Sequence, residues 1–171
     1  MKFGPVPTEA CDGAVLAHAL NLPDGRIRKG TRLAGTDLDR IRAAGITEIV
    51  VARLETGDLD EDAAADRLAA ALMPPGLRLS AAATGRVNIY AVGRGIVRFD
   101  RDRLKQVNRI DEGVTLACVQ HNQLVEDGDM IATLKIIPYA ISETAVAAVE
   151  SQGGGAPVLG FHPLATRPFA L

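Results

Sequence analysis

Apolar residues at helical spacing predict three helices beyond residue 55. The first covers residues 59–73, where leucine and alanine recur every three or four positions and acidic residues crowd the first turn, in which the helix dipole favours negative charge. Asp100 can cap a second helix that reaches about Arg109, and Ser142 opens a third over residues 145–149. These helices alternate with β-like segments, which indicates a mixed α and β chain.

Runs of β-branched and apolar residues predict strands over residues 14–20, 46–52, 77–79, 87–92, 96–99, 113–119 and 130–139. Near the start of the chain, Lys29-Gly30 is predicted to form a turn. A short helix over residues 38–44 follows, capped by Thr36 or Asp37 and ended by Gly45. This unit of turn, short helix and strand precedes residue 55.

The order of these elements predicts an α+β fold with a small β-rich lobe over residues 1–55. A second lobe over residues 56–150 has a mixed sheet and two or three helices. Residues 153–155 are three glycines and form a flexible joint. Residues 151–171 are therefore predicted to be a linker and tail, which either packs back on the body or leads toward a domain absent from this chain.

Composition narrows the function classes. The chain has 171 residues and is 47% apolar, enough for a real core, and its net charge of −2 provides no general field for nucleic acid. No stretch approaches the roughly 20 apolar residues that cross a membrane. Cys11 and Cys118 are isolated, so neither a disulfide framework nor a zinc site is indicated. We expect a cytoplasmic protein that binds neither nucleic acid nor membranes.

The segment Thr84-Gly85-Arg86-Val87-Asn88 is a candidate ligand loop. Gly85 permits a tight turn, and Thr84 and Asn88 offer hydrogen-bonding groups. The planar guanidinium of Arg86 suits a phosphate or carboxylate. A small anion could bind there; the alternative is a structural loop with a surface arginine.

Two lysines extend the candidate set. Lys135 lies inside a long apolar strand, so its side chain must reach solvent, find a partner or face a pocket. Alternation places Lys135 and Thr133 on one face of that strand, opposite Leu134 and Ile136. Lys29 belongs to a basic turn with neighbouring arginines, which could receive a phosphate, a partner's acidic surface or only solvent.

Catalytic chemistry is harder to assign. Asp111 and Glu112 are adjacent and could serve as metal ligands or acid–base groups, although two such residues in a loop are often simply solvated. The sequence contains no GxSxG, P-loop or GxGxxG motif. Catalytic residues therefore remain unassigned.

A family resemblance adds to this picture. The segment Lys29-Gly30-Thr31-Arg32-Leu33, with residues 37–38, 44–46 and 50–51, resembles a signature of molybdenum cofactor biosynthesis proteins, including the molybdopterin molybdenumtransferase family. Further segments resemble a narrower set of bacterial molybdopterin-binding proteins, some fused to a molybdenum cofactor cytidylyltransferase: residues 16–18, 51–58, 61–64, 84–88, 114–117 and 132–138. The similarity covers about residues 3–140.

The resemblance implies that this chain corresponds to the amino-terminal part of such proteins. Their pterin-binding α/β domain, with its Gly-rich phosphate loop and acidic residue, would follow and has no counterpart here. The implied partners are molybdopterin, which is a small anionic pterin, and the absent pterin-binding domain or other cofactor-synthesis proteins. Self-association into a homo-oligomer remains open.

The leading hypothesis is a molybdopterin-binding or accessory domain of a molybdenum cofactor biosynthesis protein, non-catalytic by itself. The candidate ligand contacts are Thr84, Arg86, Asn88, Lys135 and Lys29. One alternative is a transferase acting on the molybdenum cofactor, with Asp111 and Glu112 holding a divalent metal. A second alternative is a structural oligomerisation module.

Overall fold

The computed structural model describes residues 1–74, 76–154 and 157–164. Within them, four α-helices and fourteen short strands form an α+β fold, as the sequence predicts. The strand pairs of the second lobe are all antiparallel in the described residues, where a mixed sheet was expected. The buried apolar residues form two clusters, a smaller one drawn from the first 51 residues and a larger one from residue 64 onwards. None of the helices in these ranges is long and apolar enough to cross a membrane.

The N-terminal lobe contains β1 (Lys2–Pro7), β2 (Val15–Leu16), β3 (Leu20–Leu22), β4 (Gly25–Ile27), α1 (Gly35–Ala43) and β5 (Glu48–Arg53). A three-stranded sheet has the order β1-β5-β2, and β3 and β4 form a separate hairpin. Buried Leu38 and Ile41 of α1 belong to the small core. The core therefore lies between the single helix and short strands.

The start of α1 differs from the prediction. The helix begins at Gly35, and Asp37 lies inside its first turn rather than at the cap, where its carboxylate accepts a hydrogen bond from the backbone N–H of Ala34 at 3.1 Å. Asp37 thus satisfies a free N–H group of the helix start from the third helical position. Gly45, at φ +74°, ends the helix as expected.

The second lobe contains β6 (Asp58–Asp60), α2 (Glu61–Leu72), β7 (Arg78–Leu79), β8 (Arg86–Tyr90), β9 (Gly95–Phe99), α3 (Arg101–Ile110), β10 (Val114–Cys118), β11 (Gln123–Val125), β12 (Met130–Ile136), β13 (Ala140–Ser142), α4 (Glu143–Glu150) and β14 (Leu159–Pro163). The main sheet has the order β10-β12-β8-β7. A second sheet has the order β11-β9-β14, and β13 pairs with β6.

The predicted starts at Asp100 and Ser142 are confirmed, whereas the helix predicted over residues 59–73 begins at Glu61 and is capped by Asp60, one of the acidic residues expected in its first turn. Asp60 accepts a hydrogen bond from the N–H of Ala63 at 2.9 Å, and Asp100 and Ser142 cap α3 and α4 in the same way. Leu68 of α2 is fully buried in the larger core, which α2 shares with β8 and β12. The many alanines of α2 allow this helix to lie close to the sheet.

Residues 151–171 are partly described. Leu159–Pro163 forms β14, which pairs antiparallel with β9 and places Phe161 opposite Val97. Leu159 is fully buried in the larger core. Gly155, Ala156 and residues 165–171 lie outside the described residues.

Candidate functional site

The register of β8 and β12 brings two of the candidate cations together. Lys135 lies opposite Arg86, and Thr133 lies opposite Asn88, on antiparallel neighbours. Directly opposed residues share one face of a sheet, with Cβ atoms about 4.5–5.5 Å apart. Leu134, between Thr133 and Lys135, is fully buried, which confirms the predicted alternation along β12. Arg86 is exposed and Lys135 is half-buried.

We call the open side of the four-stranded sheet the cationic face. Its positions are Arg78 on β7, Arg86, Asn88 and Tyr90 on β8, Thr133 and Lys135 on β12, and Thr115 and Ala117 on β10. The structure describes all of these positions, and none of them carries a carboxylate. Arg78 stacks on the Tyr90 ring, with 4.2 Å from guanidinium carbon to ring centre.

A tight turn positions Arg86 at the end of β8. Ala83 and Arg86 exchange backbone hydrogen bonds at 3.0 and 3.2 Å, and both residues between them have positive φ, +51° at Thr84 and +68° at Gly85. These are the features of a two-residue type I′ turn. The Lys135 ammonium donates to the Thr84 carbonyl, so the turn is tied to β12.

The same turn is tied to α2 from its other side. The Gly85 N–H donates to the Asp62 carboxylate at 2.6 Å. A Cβ atom on Gly85 would lie 2.6 Å from the Ile136 carbonyl oxygen, so only glycine fits there. The location of Arg86 is therefore fixed by two strands and one helix start.

Hydrogen bonding on the cationic face leaves donors available. The Thr133 hydroxyl donates to the Asn88 side-chain oxygen at 3.0 Å. The Asn88 amide N–H groups donate to no residue that the structure describes. Arg86 forms no ion pair with any described residue. Arg86 and Asn88 can therefore both donate to a bound oxyanion.

The cationic face ends at a junction between the lobes, which we call the seam. The seam consists of the Lys29–Arg32 turn of the first lobe, the Asp60–Asp62 start of α2, and Tyr139, and it encloses a cavity of about 230 Å³. The Tyr139 hydroxyl donates to the Ala17 carbonyl of the first lobe at 2.7 Å. This bond holds the two lobes together beside the cavity.

Glu61 is the central ionisable group of the seam. Burial raises the pKa of its carboxyl above the ordinary value; Asp62 and Asp60 add to the rise, and the charges of Lys135 and Lys29 partly offset it. Burial, and then the Glu61 charge, raises the pKa of the Tyr139 hydroxyl. Lys29, exposed on its turn, therefore acts on the same carboxyl as Lys135.

The structure thus places the five predicted ligand residues in two groups that meet. Thr84, Arg86, Asn88 and Lys135 lie on the cationic face and its turn. Lys29 belongs to the other lobe, and its link to this group is the Glu61 carboxyl, whose pKa both Lys29 and Lys135 lower by their charge.

Asp111 and Glu112 lie elsewhere, between α3 and β10. The Asp111 carboxylate accepts the Gly113 N–H at 2.7 Å, and Glu112 is exposed. Asp111 therefore shapes its own turn. In residues 1–74, 76–154 and 157–164, no group of three or more His, Cys, Asp or Glu side chains is arranged to hold a metal ion.

Sequence reasoning missed Glu61, Asp62 and Tyr139 as members of the site. Glu61 and Asp62 belong to an acidic run that also suits a helix start, and that role explained them without a ligand. Tyr139 ends an apolar run and carries no local signal. Only the docking of the two lobes reveals their proximity.

Comparison with known proteins adds one match. Residues 5–53 match a family described as a domain of unknown function (DUF8806). This range begins within β1 and extends through β5, which is nearly the whole N-terminal lobe. No curated protein and no solved structure gives a significant match to the chain.

Proposed function

We propose that this chain is a molybdopterin-binding or accessory domain of a molybdenum cofactor biosynthesis protein, non-catalytic by itself. In this proposal the cationic face receives the phosphate of the pterin. The resemblance in sequence supplies the ligand class, and the described contacts supply the binding groups.

The observation that carries the proposal is the pairing of Arg86 with Lys135 on a sheet face without carboxylates. The Arg86 guanidinium is a planar fork that matches two phosphate oxygens, and Lys135 adds a positive charge on the neighbouring strand. Asn88 adds neutral N–H donors. The three groups together suit a small dianion.

The seam supports a contribution from the first lobe. Lys29 acts on the Glu61 carboxyl, as Lys135 does, so the seam joins cations of both lobes around one acid. A pterin ring offers adjacent N–H donors, and a carboxylate is the matching acceptor for them. Glu61 is therefore the group in the seam that can complement the ring when the phosphate lies beside Lys135.

The test is a calorimetric titration of the full chain with molybdopterin. Arg86→Gln and Lys135→Gln should each weaken binding by about ten- to a hundredfold, because each removes a charged hydrogen-bond donor worth roughly 1.5–3 kcal/mol. Arg109→Gln, which removes an exposed arginine of α3, is the matched control and should bind as the parent does.

Two results would contradict the proposal. One is an absence of heat with the unmodified chain at millimolar ligand. The other is equal affinity in the parent, Arg86→Gln and Lys135→Gln. Sedimentation of the same samples addresses the oligomerisation alternative, since a dimer formed through the cationic face would be strengthened by loss of these like charges.

A further inference from the structure

Two arginines of the N-terminal lobe converge on one turn. The Arg32 guanidinium donates to the Gly13 carbonyl at 3.0 Å, and the Arg53 guanidinium donates to the Ala10 carbonyl. Ala10 is the last residue of the 3₁₀ helix Thr8–Ala10, and Gly13 lies in the turn that joins this helix to β2. Each side chain is thereby held in one direction.

The strands explain why the arginines meet there. Val15 of β2 forms a bridge with Arg32 on one side and pairs with Ala52, the neighbour of Arg53, on the other. Backbone hydrogen bonds from Gly13 to Leu33 at 2.9 Å and from Leu33 to Ala14 at 2.8 Å fix the turn itself. The two guanidinium groups therefore flank the turn on a rigid frame.

A polar cavity of about 390 Å³ lies between them, lined by Asp12, Gly13, Arg32, Arg53 and Leu54 among others. Neither guanidinium forms an ion pair with a carboxylate among residues 1–74, 76–154 and 157–164. A guanidinium has five N–H donors, so most remain available after one bond to a carbonyl. Asp12 is the acid that lines this cavity.

We propose that this two-arginine cavity binds the oxyanion of a small ligand, a phosphate or a carboxylate group, at a site separate from the cationic face. Fixed guanidinium forks suit such groups because they donate in pairs to coplanar oxygens. The volume falls within the range of small-molecule sites. The Asp12 carboxylate would repel an anion that has no hydrogen-bond donor. It would accept a hydrogen bond from an anion that carries a hydroxyl or amine group.

The experiment is an NMR titration of the full, ¹⁵N-labelled chain with inorganic phosphate and, separately, with acetate, at constant ionic strength. Saturable shifts of the Gly13, Ala14 and Arg32 amides are expected with at least one of the two anions, and the stronger one identifies the group. Arg32→Gln and Arg53→Gln should each weaken binding at least tenfold. Arg42→Gln, which removes a charge from the exposed side of α1, should leave it unchanged.

Asp12→Asn keeps both arginine–carbonyl bonds and should tighten severalfold the binding of acetate, which carries no donor for the Asp12 carboxylate, and this tests the site even if an arginine variant fails to fold. Arg86→Gln should not change these shifts. Arg32 also lines the seam cavity, so Arg53→Gln, which alters only this cavity, shows whether this site fails independently of the proposed pterin site. Amide shifts that do not saturate, or an Asp12→Asn variant that binds acetate no better than the parent, would show that the arginines only clamp the turn.

Discussion

The two faces of the four-stranded sheet carry opposite chemistry on the same strands. On one face Val87 and Leu134 are 0% exposed and share a core with α2. One residue away on the same strands, Arg86 and Lys135 lie on the open face without a carboxylate among its positions. The buried face determines whether the sheet forms, and the open face carries the cations to which we assign ligand binding.

This contrast separates residues that stabilise the fold from residues proposed to bind the ligand, although they are neighbours in sequence. Alternation in a strand sends neighbours to opposite sides, so a substitution at 134 and one at 135 act on different properties. Substitutions on the buried face, at the turn, at the sheet edge and at the seam test that separation, in decreasing order of expected effect.

The largest effect is expected from Leu134→Ala. Removing a fully buried leucine side chain leaves a cavity in the larger core and should lower the free energy of unfolding by about 2–5 kcal/mol. Urea unfolding followed by circular dichroism measures it. Thr115→Ala, on the open face, is the control and should stay within about 0.5 kcal/mol of the parent. Equal losses would show that the open face also supports the fold.

Gly85→Ala should lower the free energy of unfolding by about 3 kcal/mol, because the turn requires φ of +68° and the new Cβ would lie 2.6 Å from the Ile136 carbonyl oxygen. Gly128→Ala shares a positive φ of +82° but has no atom within 4 Å of the added carbon, so only the conformational cost of about 1–2 kcal/mol applies. The difference between the two unfolding free energies isolates the steric contact. Equal unfolding free energies for the two variants would show that the contact with Ile136 does not hold the turn in place.

Asn108→Ala tests the edge of the sheet. The Asn108 side chain accepts from the Leu116 N–H at 2.7 Å and donates to the Leu116 carbonyl at 3.0 Å, as a neighbouring strand would. Loss of this side chain should lower the free energy of unfolding by about 2 kcal/mol. It should also leave the β10 edge of the sheet open to pairing with other chains. Thermal unfolding and light scattering measure the two effects, with exposed Gln106→Ala of α3 as the control.

Glu61→Gln should have the smallest effect, and its sign depends on pH. The raised pKa means that the folded chain binds a proton more readily than the unfolded chain, so stability falls as pH rises above the ordinary value of 4.5 and through the folded pKa. Glutamine does not ionise. The variant should therefore be more stable than the parent at pH 7, by up to about 1 kcal/mol, and should show no gain at pH 4.

Melting temperatures at the two pH values measure this effect, and the exposed Glu112→Gln serves as the control. A variant that is less stable at pH 7 than at pH 4, relative to the parent, would mean that the attraction of Lys135 and Lys29 outweighs the burial of Glu61.

The helices were predicted well because the residues that start a helix lie next to it in the sequence. The caps at Asp60, Asp100 and Ser142 each lie within three residues of the N–H groups that they satisfy. β1 and β14 escaped prediction because their prolines obscure the pattern and their partners, β5 and β9, lie far along the chain. The predicted strand over residues 14–20 is interrupted, since only Val15–Leu16 pairs with β5 before the chain turns into β3.

The candidate site shows the same limit. Alternation alone placed Thr133 and Lys135 on one face, but the pairing with Asn88 and Arg86 depends on the register of two strands separated by β9, α3, β10 and β11. The proximity of Lys29 to Glu61 requires the docking of the lobes. The sequence therefore supplied the candidate cations but not the acidic residues or the tyrosine of the seam, and the tertiary structure determines which of these side chains are neighbours.

The two-residue length of the Thr84-Gly85 turn has a consequence for protein engineering. A residue inserted into β8 just after this turn would slip the strand by one position and send the Arg86 side chain toward α2, while an aliphatic side chain would move out to water. Tags, reporter peptides and evolutionary insertions are therefore excluded at this point. The glycine turn at Gly128, which has open space around it, is a place in the same lobe where added length can be accommodated.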